Sequence, residues 1–158
     1  MHNIKFRAAT IADLPSLLAF EQGIIDAERP FDSTLKPDPI SYYDLKSHVL
    51  SNEVEVMVAY DENEVVGSGY AKIIKAKDYH RHEEYAYLGF MYVKPEYRGN
   101  GIIKSITEKL ISWAKGKDIF EIRLEVYNDN APAIRAYEKS GFKKHIVEMR
   151  LDVSKSRY

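Results

Sequence analysis

Apolar and polar residues alternate from Ile4 to Ala8 and predict a short strand. At Thr10 the rhythm becomes helical, with Leu14, Leu17, Leu18, Ile24 and Ile25 on one face. Thr10-Ile11-Ala12-Asp13 has the form of a capping box with Asp in the usual Glu place; Pro15 falls in or near the first turn, and Arg29-Pro30 ends the helix. Residues 30–39 are punctuated by proline and lack any period, so they form a loop. Asp38-Pro39 then has the form of an N-cap with proline at the first helical position, opening a helix on Tyr42, Leu45 and Val49.

Val54 to Tyr60 and Val65 to Ile74 flank the polar turn Asp61-Glu62-Asn63-Glu64 and predict a hairpin. A charged connection, Lys77 to Glu83, leads to an apolar, aromatic strand over 85–93 that must stop at Pro95, which has no N–H for a ladder. Ile102, Ile106, Leu110 and Trp113 recur at helical spacing. Ile119 to Val126 alternates strictly, with Glu121, Arg123 and Glu125 opposite Ile122, Leu124 and Val126. Asn128-Asp129-Asn130-Ala131-Pro132 caps a further helix that stops at Gly141. A last strand is expected over 146–153, with room for a short one at Phe142, and Ser154–Tyr158 as a frayed tail. The order β-α-α-β-β-β-α-β-α-β predicts an α/β (α+β) domain with a mixed, mostly antiparallel sheet flanked by helices. No linker or repeat interrupts it, so 1–158 is expected to be a single domain.

Composition narrows the chemistry. The 158 residues are 45% hydrophobic and 30% charged, and the net charge is −1, with both signs interspersed. That balance points away from nucleic acid or a membrane surface as the main partner. Cysteine is absent, which excludes disulfides, thiol catalysis and cysteine-ligated metals. With no bilayer-length apolar stretch and no signal-peptide pattern after Met1, a cytoplasmic location is expected.

The most informative stretch is Val93-Lys94-Pro95-Glu96-Tyr97-Arg98-Gly99-Asn100-Gly101-Ile102-Ile103-Lys104, a strand, a glycine-bearing turn and a helix in quick succession. Such a turn offers backbone N–H groups at the positive end of a helix dipole, a seat for phosphate, and Arg98 and Lys104 add charge. The P-loop pattern fails because Ile103 stands where its second glycine belongs. The dinucleotide pattern fails because Lys104 stands in place of the third glycine. What remains is an ordinary glycine turn or another kind of phosphate cradle.

Arg98-Gly99-Asn100-Gly101-Ile102-Ile103 resembles the acetyl-CoA turn [RQ]-x-x-G-x-[GA] of the GCN5-related N-acetyltransferases, with Ile103 departing from the small residue expected there. Ile102 and Ile106 on either side suggest a core position for Ile103. A second stretch, Asn130-Ala131-Pro132-Ala133-Ile134-Arg135-Ala136-Tyr137-Glu138-Lys139-Ser140-Gly141-Phe142, is similar to the family's N-x-x-A-x-x-x-Y-x-x-x-G-F signature. The element order matches as well, so the resemblance covers nearly the whole chain.

The resemblance implies an acyl-CoA N-acyltransferase-like fold and an N-acetyltransferase that uses acetyl-CoA as cosubstrate and needs no metal. It implies that Arg98, Gly99, Asn100, Gly101, Ile102, Ile103 and Lys104 hold the pyrophosphate. It places Asn130 and the backbone of Met91, Tyr92 and Val93 along the pantetheine arm, with a Met91 or Tyr92 N–H as oxyanion donor. Tyr137 would serve the leaving thiolate, and Glu125, or a water chain, would take the proton of the attacking amine. Read from residues alone, Tyr137 is also a good core aromatic, and Glu125 a solvated partner of Arg123. Glu21 and Glu28 are further candidates for acceptor recognition. His80-Arg81-His82 reads first as a solvated connection and only second as metal ligands. The expected reaction is direct transfer to a primary amine of a small molecule or peptide. The alternatives are a non-catalytic acyl-CoA sensor and an enzyme for protein N-termini or lysines. Homodimers are common among such proteins, and no residue here decides the oligomeric state.

Overall fold

The computed structural model describes residues 2–154 and divides into two compact units, one ending at Tyr127 and one beginning at Asn128. The first unit is a five-stranded sheet in the order β1 (Ile4–Ala8), β2 (Val54–Asp61), β3 (Glu64–Lys75), β4 (Glu84–Val93) and β5 (Ile122–Leu124). Neighbours are antiparallel up to β4, and β5 joins β4 in parallel after a helical crossover, α3 (Ile102–Gly116).

Alternation along the strands sorts side chains to two faces. Val56, Val58, Tyr70 and Phe90 meet Leu17, Phe20 and Ile24 of α1 (Leu14–Glu28) and Leu45 of α2 (Leu45–Leu50) in one core. On α3, Ile102, Ile106, Leu110 and Ala114 are buried, and Ala114 joins Ala86 and Ile119 in a second cluster.

The predicted first helix is preceded by a 3-10 turn, Ile11–Asp13, and a second 3-10 turn, Arg29–Phe31, follows it. The Asp13 carboxylate accepts from the Thr10 N–H at 2.8 Å, the return half of a capping box. Arg7 grips the same carboxylate at 2.7 and 2.9 Å and, by that hydrogen bond, holds its pKa below the usual range.

Two expectations are corrected. The second helix begins at Leu45 and not after Asp38: Asp44 is its N-cap, accepting from the Ser47 N–H at 3.1 Å, and the Asp38–Pro39 bond is cis. Tyr42 and Tyr43 stay non-helical because their N–H groups both donate to Glu21, at 2.9 and 2.8 Å. A long-range acceptor has outcompeted the local ladder.

The second unit holds α4 (Ala131–Lys139), capped by Asn130 and closed at Gly141 with φ +96. The expected strand over 146–153 does not form, and residues 142–153 have no regular secondary structure. Period-two alternation suits a strand but supplies no ladder partner, and the sheet order ends at β5. Of the expected tail, only Ser154 lies within the described residues.

Candidate acetyl-CoA site

Two features of β4 open a slot in the sheet. Its pairing with β5 covers Ala86↔Ile122, Tyr87↔Arg123 and Leu88↔Leu124, and ends there. On the β3 side, Tyr70 faces Gly89 but Ser68 faces Tyr92, so Gly69 alone spans Phe90 and Met91. That is a β-bulge with one extra residue. Phe90 takes φ +58 while only 2% exposed, an unusual conformation for a bulky side chain and one that costs about 1–3 kcal/mol.

The bulge changes which backbone groups face outward. Before it, the Ala86 N–H donates to Glu121 of the β5 side; after it, the Lys94 N–H donates to Val66 of β3. Alternation then puts the Tyr92 N–H toward β3, and those of Met91 and Val93 on the side β5 has left. Of the two N–H groups expected from sequence as oxyanion donors, that of Met91 is the one facing the vacated side.

Next along the chain, Lys94 ion-pairs with Glu64, and the Tyr97 hydroxyl lies 3.3 Å from Asp61 and 3.4 Å from Glu64. These contacts fix the 3-10 turn Pro95–Tyr97 on the β2–β3 hairpin. Gly99 (φ +80) and Gly101 (φ +71) then bend the chain into α3, with Gly101 as N-cap. A Cβ built on either meets no atom within 4 Å, so left-handed geometry and open space, not crowding, call for glycine. The first N–H groups of α3 have no acceptor within the helix.

Other turn residues do more local work than expected. The Arg98 Nε donates to the Val93 carbonyl at 3.1 Å, which ties the turn to the end of β4. The Asn100 amide donates to the Tyr97 carbonyl at 2.9 Å. Lys104 is exposed, 4.0 Å from Glu108, and remains available as a mobile charge. Ile103 is half-buried; the core positions of this turn are Ile102 and Ile106.

Glu125 lies exposed just past β5, where the pairing with β4 has ended; burial first, then the Glu125 charge, pushes the Tyr87 phenol up. Burial first, then the Glu125 charge, pushes the Tyr70 phenol up to about 12. Glu21 is excluded from acceptor recognition as a free carboxylate, since it is 1% exposed and occupied by the two backbone N–H groups. Glu28 is half-buried, and that burial raises its pKa. Close by, the Tyr127 hydroxyl donates to Asp32 at 2.9 Å, and the Tyr127 ring stacks on Phe31 at 6.0 Å. Sequence reasoning missed Asp32, Tyr42 and Tyr127. No local pattern signals a contact across 95 positions.

His80 and His82 stack at 5.3 Å, and His82 Nε2 lies 3.4 Å from Arg123. Among the described residues no group of three metal-ligating side chains converges, and no helix is long and apolar enough to cross a membrane.

In the second unit, Asn130 accepts from the Ala133 N–H at 3.4 Å and so serves as the N-cap of α4. Tyr137 lies two turns on along the same helix face, its ring edge-on to Phe142 at 5.8 Å. Desolvation raises its phenol pKa, which keeps the proton on oxygen at neutral pH.

The end of the β4–β5 pairing, the bulge and the glycine turn running into α3 follow one another along the chain. The model of the acetyltransferase (GNAT) family matches residues 22–142. The chain belongs to that family. Among curated proteins it is 33% identical over 86 residues to N-alpha-acetyltransferase 30 of Schizosaccharomyces pombe, covering 54% of this chain and 55% of the relative. The chain thus spans about half the length of the curated relative it matches. A predicted acetyltransferase from Clostridium acetobutylicum, solved with acetyl-CoA, superposes with a TM-score of 0.71 at 19% identity, over 99% of this chain and 100% of that one. A tetramutant of a Bacillus halodurans protein reaches 0.81 at 21% identity, over 94% and 99%. These likenesses establish the fold of this GNAT chain, a mixed and mostly antiparallel sheet flanked by helices.

Proposed function

We propose that the protein transfers an acetyl group from acetyl-CoA to a primary amine by direct attack in a ternary complex. The observation that carries this reading is the parting of β4 from β5 after Leu88 and Leu124, continuous with the glycine turn at the start of α3. The pantetheine arm would lie along the open side of β4, adding its amides to Met91 and Val93 as an extra strand does. The pyrophosphate would take the N–H groups of Gly99 to Lys104, with Asn100 and Arg98 shaping the turn and Ile102 and Ile103 supplying its first helical amides.

The neutral amine attacks the thioester carbonyl carbon, and the electron pair of the C=O bond moves to oxygen. The Met91 N–H faces the side where that oxyanion forms. Collapse breaks the C–S bond, and the Tyr137 phenol donates to the leaving thiolate, its raised pKa keeping it protonated for the task. Glu125, directly or through water, takes the proton lost by the amine. Asn130 would meet the pantetheine arm. Holding both reactants removes much of the entropic cost of their encounter. The carboxylates of Glu28, Asp32 and Glu125, amid the phenols of Tyr42, Tyr87 and Tyr127, favour a cationic acceptor over an anionic one.

Within this reading, a peptide N-terminus is supported by the likeness to N-alpha-acetyltransferase 30, which concerns about half of each chain. Free-thiol release from acetyl-CoA, measured across polyamines, amino acids, aminoglycosides and peptide amines, tests the proposal. Release with at least one amine class is expected. Tight CoA binding with no release from any amine would replace the enzyme with an acyl-CoA sensor.

A further inference from the structure

Ser68 is a polar side chain with 0% exposure inside the sheet, and neither the motifs nor the proposed chemistry uses it. Its hydroxyl donates to the Phe90 carbonyl at 3.0 Å. Phe90 is the bulge residue with φ +58, and its carbonyl shares a peptide plane with the Met91 N–H. In a trans peptide the carbonyl and the following N–H point in opposite directions. A carbonyl drawn toward β3 therefore sends the Met91 N–H toward the side that β5 has vacated.

We infer that Ser68 is a positioning residue: it latches the Phe90 carbonyl and thereby aims the Met91 N–H at the acyl oxygen. This rests on the acetyl-CoA reading of the site, and it adds a residue from β3, a strand with no part in the family's motifs as read from the sequence. The surroundings make the latch specific. A Cβ on Gly69, opposite the bulge, would stand 2.7 Å from Met91 Sδ and from Ile106 Cγ2. The Phe90 ring is held from the other face by Tyr43 at 5.4 Å. Packing thus confines the bulge, and the Ser68 hydroxyl, donating to the Phe90 carbonyl, bears on which way its peptide points. Without that donor, the buried Phe90 carbonyl would lose a hydrogen bond, and the peptide could rotate to seek another.

An oxyanion donor acts on the charge that develops in the transition state, so misaiming it should appear in kcat and not in cosubstrate affinity. The experiment compares Ser68→Ala, which deletes one buried oxygen, with Ser68→Thr, which restores a hydroxyl. Both are followed by steady-state kinetics, by CoA titration, and by hydrogen exchange of the β3-facing amides between Gly89 and Lys94. Ser68→Ala is expected to lower kcat about tenfold while CoA affinity stays within about threefold. Exchange should rise in that stretch while α1 and α3 keep wild-type protection, and Ser68→Thr should recover much of both effects.

A kcat within about twofold of wild type would overturn the inference. So would unchanged exchange around Phe90, or a loss of kcat matched by an equal loss of CoA affinity. If wild-type protein releases no thiol with any amine, the acetyltransferase reading fails instead. The exchange comparison alone then decides whether Ser68 holds the bulge.

Discussion

Replacing Gly101 with alanine separates what the turn does for the fold from what it does for the ligand. Gly101 holds φ +71, and a left-handed residue with a side chain costs roughly 1–2 kcal/mol. Alanine also reduces the freedom of the unfolded chain, which offsets about 0.4–1 kcal/mol of that. The new Cβ meets no protein atom within 4 Å, so no clash is added. The net loss should therefore be about 1 kcal/mol, or about 2–4 °C in Tm for a chain of this size. Binding should suffer more, because the methyl group enters the space proposed for the pyrophosphate. Losing one or two charge-assisted N–H contacts, at about 1.5–3 kcal/mol each, weakens CoA by at least about tenfold. Thermal melts of the free protein and calorimetric titration with CoA measure the two effects independently. CoA affinity within about twofold of wild type would refute the phosphate seat. A Tm loss beyond about 10 °C would show that the site is packed and not open.

Tyr137→Phe should lower kcat on the order of 10²-fold on the best amine, leaving CoA affinity and Tm nearly unchanged. In the proposed reaction the phenol acts in its protonated form, and its pKa is raised, so loss of wild-type rate on the alkaline side should come above the ordinary phenol value of about 10, as a pH–rate profile checks. Ile103→Ala should cost about 1–2 kcal/mol in denaturant melts, less than full burial would give, and should not weaken CoA in titration. Asp13→Asn removes a carboxylate whose folded pKa is depressed first by its Arg7 hydrogen bond. Its stabilisation is present above the unfolded value of about 4 and lost as pH falls through the folded one. Arg7, 40% exposed, can rehydrate, so the Tm gap to wild type should correspond to about 1–2 kcal/mol at pH 7 and close in acid.

Much of this protein is local and therefore legible along the chain. All five strands, the helices α1, α3 and α4, the hairpin at Asp61–Glu64 and the glycine turn each follow from period, caps and breakers within a few residues. Gly99 and Gly101 stand out because left-handed backbone has a residue signature.

Whatever depends on a partner far away in sequence was decided by the tertiary structure. Asp38-Pro39 offered a good N-cap, yet the N–H groups of Tyr42 and Tyr43 went to Glu21, and the helix waited for Asp44. The alternation over 146–153 promised a strand, but ladder hydrogen bonds need a neighbour that no sequence pattern names. The bulge at Phe90, which the family resemblance suggests but the residues of β4 do not demonstrate, shows itself in the pairing with β3, where Gly69 alone spans two residues and Ser68 bonds the Phe90 carbonyl. Sequence marks where the backbone bends for its own reasons; where it bends under a neighbour's hydrogen bond, only the packed sheet decides.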